Sequence, residues 1–201
     1  PVTPLDPGAH ALTYTLTDAA GNESQPSGAL NVTVDTTAPG TNPNGSAGTV
    51  PAPVVAIAEA TNGVSASEAS DGVQTQVTLP TGTVAGDTIT LTVTHPDNTT
   101  STVIYTVQAG DLTTGSATVT VPMADLQSGG SYVDGNYSIS ATVTDAAGNA
   151  SPASSATGFV LDTAAPAQPA APTSYADNVD PVSSATSAAA ATNDTTPGVN
   201  I

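Results

Sequence analysis

The sequence predicts an all-β fold: an antiparallel sandwich of about seven short strands, laid out as a tandem array. Three observations carry that expectation. Short segments alternate apolar and polar side chains between turn signals, the period-2 signature of half-buried strands. The composition, with 18 Gly, 17 Pro and abundant Thr, Val, Ser and Ala, suits strands and tight turns and offers little material for long amphipathic helices. The sequence also repeats itself. TDAAGNES at residues 17–24 returns as TDAAGNAS at 144–151, and DTTAP at 35–39 returns as DTAAP at 162–166, both at an offset of 127 residues. Leu12, Leu16 and Gly8 fall on Ile139, Val143 and Gly135 in the same register. A period this long exceeds solenoid repeats and matches one small sandwich plus a linker.

Taken in order, residues 54–58 form the first strand of the complete repeat and 73–79 the second. Residues 88–94 alternate cleanly and put Ile89, Leu91 and Val93 on one face. Pro96, Asp97 and Asn98 turn the chain, and 101–107 pairs back as a hairpin. Strands at 117–121 and 137–143 follow, the latter with Tyr137, Ile139, Ala141 and Val143 inward, and 157–161 is last. Seven short strands at this spacing predict Greek-key connections. Only one helical turn is expected, at 122–126, where Pro122 opens the turn without needing its N–H.

The register divides the chain. Residues 1–39 are expected to be the C-terminal strands of a preceding repeat, 40–53 a Pro/Gly/Asn-rich linker, and 54–164 a complete repeat. Residues 165–173 form a second linker, and 174–201 open a following repeat of another subtype. The chain is thus expected to be a piece of a longer polypeptide, with its two ends poorly ordered or packed artificially for want of sheet partners.

Charge narrows the function. Lys plus Arg is 0 against 17 Asp plus Glu, for a formal net charge of −17, and the isoelectric point is near 4.1. Without phosphate-binding cations, nucleic acid and anionic membranes are poor partners. No apolar run is long enough to span a bilayer, so direct membrane insertion is not expected. Cys is 0, which excludes disulfides and thiolate metal sites.

The string from Asp134 through Tyr137 into TDAAGNAS and DTAAP resembles the bacterial Ig-like repeats of giant RTX-type adhesins exported by type I secretion. It is also similar to cadherin repeats and to the fibronectin-III-like sandwich. The resemblance implies an extracellular location on the bacterial surface. It further implies that neighbouring Ig-like repeats are the partners in the chain, that Ca²⁺ rigidifies the junctions, and that a distal adhesive region is projected from the cell for cell adhesion or biofilm formation.

The residues make their own case for Ca²⁺. It takes six to eight oxygen ligands, and this chain is rich in loop oxygens, has no thiolate, and has only His10 and His95 as imidazoles. With no Lys or Arg available, only cations relieve the repulsion of grouped carboxylates. In an Ig-type sandwich the loops sort by end. Glu59, Glu68 and Asp71 group with Asp134 and the exit residue Asp162 at the C-terminal pole, and Asp87, Asp145 and Asn149 at the other, which Asp35 approaches from the preceding repeat. The expected metal ligands are therefore Asp35, Glu59, Glu68, Asp134, Asp145, Asn149 and Asp162. Asp-Ala-Ala-Gly-Asn is equally a sound turn sequence, in which Asp accepts backbone N–H bonds and Gly148 or Asn149 turns left-handed.

Asp97, Asp111 and Asp125 read as turn or cap residues. His95 reads as a solvated strand-end residue, His10 as half-buried packing, and Tyr137 as a tyrosine corner bonded to upstream backbone. No nucleophile motif and no aromatic sugar platform is present, so the chain is not expected to be an enzyme. The leading expectation is a structural extender stiffened by Ca²⁺. The alternative is that the repeat is itself a ligand-binding module for glycan, ice or a host protein, through a Thr array such as Thr88, Thr90, Thr92 and Thr94.

Overall fold

The structure is a computed structural model that describes residues 3–41, 52–177, 179, 184–188 and 192–200. Most of the first linker, 42–51, lies outside the described residues. Two compact units result, residues 1–163 and 164–201.

The first unit opens with an antiparallel hairpin, β1 (Gly8–Leu12) and β2 (Leu30–Val34). The sandwich follows: β3 (Val54–Ile57), β4 (Val73–Thr78), β5 (Thr88–Thr94), β6 (Thr100–Thr106) and β7 (Ser116–Val121). A two-residue pair, β8 (Gln127–Ser128) and β9 (Ser131–Tyr132), precedes the long β10 (Gly135–Thr144) and β11 (Thr157–Leu161). One sheet has the order β3-β4-β7 and the other β11-β10-β5-β6. All their ladders are antiparallel. In a constant-type Ig domain the fourth strand joins the sheet of the first two. Here β6 bonds to β5 instead, because the tight turn at 96–99 returns the chain directly along its neighbour.

Alternation decides the layers. Ile89, Leu91 and Val93 from β5 and Tyr137, Ile139, Ala141 and Val143 from β10 point inward, against Val55, Ile57, Val73, Val77, Val119 and Val121 of the other sheet. The one buried polar residue on β4, Thr75, lies within the same layer.

Helical structure exceeds the expected single turn. The turn at 123–126 is present as 3₁₀. Further 3₁₀ turns stand at 58–61 and 68–71, and α1 (Ala109–Thr114) bridges β6 and β7. Helix α1 forms because Asp111 accepts the Gln108 N–H at its start (2.8 Å) and Gly115 ends it in the left-handed region at φ 71°. A local cap of this kind has no apolar periodicity, so a search for hydrophobic pattern passes over it.

The second unit contains β12 (Ser174–Asp177), β13 (Ser184–Ser187) and β14 (Gly198–Asn200), an antiparallel sheet in the order β13-β12-β14.

The 127-residue offset extends to the atoms. Gly8 pairs with Val34 as Gly135 pairs with Leu161, and Leu12 with Leu30 as Ile139 with Thr157. Local pairing and turn bonds shape this N-terminal hairpin. Its apolar face is nevertheless exposed. Leu12, Tyr14 and Leu16 are 41, 67 and 67% accessible, whereas Ile139, Ala141 and Val143 are at most 1% accessible.

Candidate metal centres at the two poles

Both poles are assembled by strand ends. At the first, β5 begins where β10 ends, since Thr88 pairs with Thr144. Asp87 and Asp145 are therefore adjacent in the next, unladdered row. Asp145 anchors the turn that follows β10. Its Oδ1 accepts the N–H groups of Ala147 (2.9 Å) and Asn149 (2.8 Å), and its Oδ2 accepts Asn149 Nδ2 (2.9 Å). These bonds hold its carboxyl below the usual Asp range, the Asn149 side chain contributing most. Asp18 and Asn22 reproduce the same three bonds in the N-terminal hairpin, and Asn22 likewise leads in lowering Asp18.

Asn149 Nδ2 reaches further, donating to Asp35 O (3.2 Å). Gly40 N donates to Thr81 O (2.6 Å), and Pro39 and Gly40 are buried. The segment leaving β2 is thus fastened to this pole, where the register placed it. Asp35 itself is exposed, and its Oδ1 accepts the Thr37 N–H.

At the opposite pole, Val64 in the loop after β3 forms a parallel bridge with Leu161, and Asp162 N donates to Val64 O (3.0 Å). Asp134 Oδ1 accepts both the N–H and the hydroxyl of Thr163. Glu68 Oε2 accepts Ser65 N and Oγ, both at 2.8 Å, which lowers its pKa with the backbone bond first. Glu59 moves the other way. Burial raises its carboxyl, the Gln74 backbone bond partly offsets this, and the charges of Asp71 and Glu68 add to the rise.

Hard cations are tested by the oxygens left over. Among the described residues, the buried side-chain oxygens with no hydrogen-bond partner are Glu59 Oε2, Asp87 Oδ1 and, within the core, the hydroxyl of Thr75, and Asp87 is only 1% accessible. An unpaired buried carboxylate oxygen is costly, and no ammonium or guanidinium exists in the chain to answer it. Asp87 and Glu59 thus fit an oxygen-seeking cation, with their loop neighbours as further donors. Among the described residues no three His, Asp or Glu side chains converge closely enough to hold an ion by themselves. Asp145 and Asn149 are spent largely on the turn, so the sequence placed them at the right pole while their present bonds serve the loop.

Two features take their full shape only in the folded chain. An open concavity of about 340 Å³ lies beside the turn at 96–99, lined among others by His95, Asp97, Asp125, Leu126 and Tyr137. His95 Nε2 lies 3.0 Å from Ser101 Oγ, and its ring meets Tyr137 edge-on. Tyr137 stacks on Phe159 and donates its hydroxyl to Val133 O (2.8 Å), the tyrosine-corner arrangement. His10 bonds to Asp6 O, and Asp97 Oδ1 accepts Thr99 N.

The other feature is the outer face of the four-stranded sheet. Rows across β6, β5 and β10 read Thr106-Thr88-Thr144, Ile104-Thr90-Thr142, Thr102-Thr92-Ser140 and Thr100-Thr94-Ser138. Every position except Ile104 carries a hydroxyl. The outer face of the other sheet is mixed: Thr78, Ser116, Thr118 and Thr120 carry hydroxyls, whereas Val54, Ala56, Gln74 and Gln76 do not.

Loss of the Asp145 carboxylate should show what the turn is worth. Asp145→Ala is expected to cost roughly 1–2 kcal/mol, since it removes three bonds to a charged acceptor. The pH sign follows from the lowered pKa. The contribution is present above the unfolded value of 3.8 and is lost as pH falls through the lower folded value. Thermal melts from pH 6 to pH 2 should converge for wild type and variant at the acid end; a gap that persists there would refute the assignment.

The fold and its poles define an all-β, Ig-like sandwich module. No protein-family model matches the chain, and no curated protein matches it.

Proposed function

We propose that the chain is a structural extender, a stretch of tandem Ig-like repeats in a bacterial surface adhesin, whose junctions are stiffened by Ca²⁺ so that a distal adhesive region stands away from the cell. The observation that carries this reading is the recurrence of one hairpin, with the same strand register and the same turn bonds, at 127-residue spacing. Recurrence at that period is what an array of sandwiches requires. The fastening of Asp35 and Gly40 to Asn149 and Thr81 supports a junction that transmits orientation. The orphaned oxygens of Asp87 and Glu59, in a chain without side-chain cations, support the metal.

A cation that binds only the ordered junction stabilises it by RT ln(1 + [Ca²⁺]/Kd), about 2.7 kcal/mol at one hundred times Kd. Millimolar Ca²⁺ should raise Tm, and chelator should reverse the rise. In a polypeptide of two complete repeats, the length measured by X-ray scattering should rise with it. Dimensions and Tm that ignore Ca²⁺ would end the reading.

Glu59→Gln gives a sharper test. Its carboxyl is raised in the folded state, so ionisation opposes folding as pH climbs through the unfolded value of 4.5 toward the folded one. In chelator at neutral pH the variant should melt a few degrees higher than wild type. With Ca²⁺ it should gain less. An equal Ca²⁺ response in both chains would remove Glu59 from the site.

A second reading is favoured by the hydroxyl array, as a face for a ligand with a regular lattice. Its hydroxyls recur about 4.8 Å apart between strands and about 6.8 Å apart along them. Adsorption to ice and binding on a glycan array, each compared with Thr90→Glu and Thr92→Glu, test it; silence in both assays leaves the extender alone.

A further inference from the structure

The hairpin β1–β2 exposes what its counterpart buries. In β10–β11, Ala141 N donates to Ser154 Oγ, Val143 N to Ser151 Oγ, and Ser154 N to Ala141 O. In β1–β2, Tyr14 N donates to Ser27 Oγ, Leu16 N to Ser24 Oγ, and Ser27 N to Tyr14 O. Two hairpins with the same bonds present the same face in the same direction. For β10–β11 that face closes a sandwich core and the free edge of β10 pairs with β5. For β1–β2 the face carries Leu12, Tyr14, Leu16 and Leu30, the last 65% accessible.

The edge tells the same story. Along β10 the odd-numbered amides serve the β11 side, so the alternate amides of Ser140 and Thr142 face β5. Their counterparts are Thr13 and Thr15. We infer that β1–β2 is a docking surface for an Ig-like sandwich lacking its last two strands, with a β5-like strand pairing along residues 11–17 and an apolar sheet covering Leu12, Tyr14 and Leu16. The occupant is polypeptide joined ahead of Gly8, a source that rests on the tandem-array reading; the face and edge do not.

Side-chain size keys the dock. Tyr14, Leu16 and Leu30 stand where the resident hairpin has Ala141, Val143 and Thr157, and His10, Val32 and Val34 stand where it has Tyr137, Phe159 and Leu161. Bulk is moved from one end of the hairpin to the other. The cognate sandwich therefore has more room opposite Tyr14 and less opposite His10 than the strands of 52–134, which disfavours exchange of hairpins between neighbouring repeats.

The register specifies the test. Residues 52–134 are placed directly before Gly8 of the full chain, so that Asp134 precedes Gly8 as it precedes Gly135. One extended chain keeps the native hairpin and a second carries Tyr14→Ala and His10→Tyr. Amide exchange is read by NMR. In the unextended chain Thr13 and Thr15 should exchange freely while Ser140 and Thr142 are protected. In the extended double variant Thr13 and Thr15 should slow by about 100-fold or more, and less so with the native hairpin. Unprotected amides in both extended chains, with Ser140 and Thr142 still slow, would overturn the proposal. So would a dimer of the unextended chain that Leu16→Ser abolishes, since the face would then belong to a second copy. Neither result depends on Ca²⁺, so failure here is distinct from failure of the stiffening.

Discussion

Ile139→Ala is expected to destabilise the sandwich by about 3 kcal/mol, while Leu12→Ala at the equivalent hairpin position costs less than about 0.5 kcal/mol. Ile139 is fully buried between the sheets, and truncation leaves a cavity that neighbours from both layers cannot fill. Leu12 is 41% accessible and loses little on truncation. For a domain of this size the first variant should melt about 15 °C below wild type. Denaturant melts of the two variants make the comparison, and equal losses would mean that the N-terminal hairpin already lies in a closed core.

Gly72→Ala is expected to cost about 3 kcal/mol or more, for two separate reasons. Gly72 has φ 88°, where L-residues are strained. A Cβ there would also stand 2.5 Å from Val121 O and 2.6 Å from Thr120 Cγ2. The 3₁₀ turn at 68–71 enters β4 hard against the end of β7, and only a hydrogen fits. Gly148→Ala separates the two causes. Its φ is 94°, yet nothing lies within 4 Å of the added carbon, so that variant should lose only the backbone part, about 1 kcal/mol. Chemical denaturation of both would test this; a Gly72→Ala chain as stable as Gly148→Ala would show that β7 yields.

Much of the fold was legible because strand alternation is a local property. The inward faces of β5 and β10, the Tyr137 corner and the 127-residue register all follow from residue order. The poles were legible one step later, since Greek-key connection sends alternate loops to opposite ends. Convergence of side chains was not legible. Asp145 and Asn149 read equally as ligands and as a turn, and only the geometry shows their polar atoms committed to Ala147, to each other and to Asp35. Asp87 drew attention only through its place in a loop, whereas its orphaned oxygen is a property of burial.

The hydroxyl array makes the same point across strands. Thr88 to Thr94 announces one row, but Thr100, Thr102, Ser138 and Ser140 join it only after β6 and β10 are paired in register. Short helical pieces at 58–61, 68–71 and 109–114 were hidden because caps and tight connections, not apolar periodicity, produce them.

The two copies of one hairpin mark the boundary most clearly. Residue order by itself determined the turn, the cross-strand register and the bonds of Asp18 and Asp145, because each is closed by groups no further apart than Gly8 and Val34 or Gly135 and Leu161. It did not determine strand length. β1 has 5 residues and β10 has 10, although the patterns match, because the second half of β10 is laddered by β5, more than forty residues away in the chain. Burial divides the same way: a neighbouring sheet covers Val143 and leaves Leu16 in water, and no local rule distinguishes them.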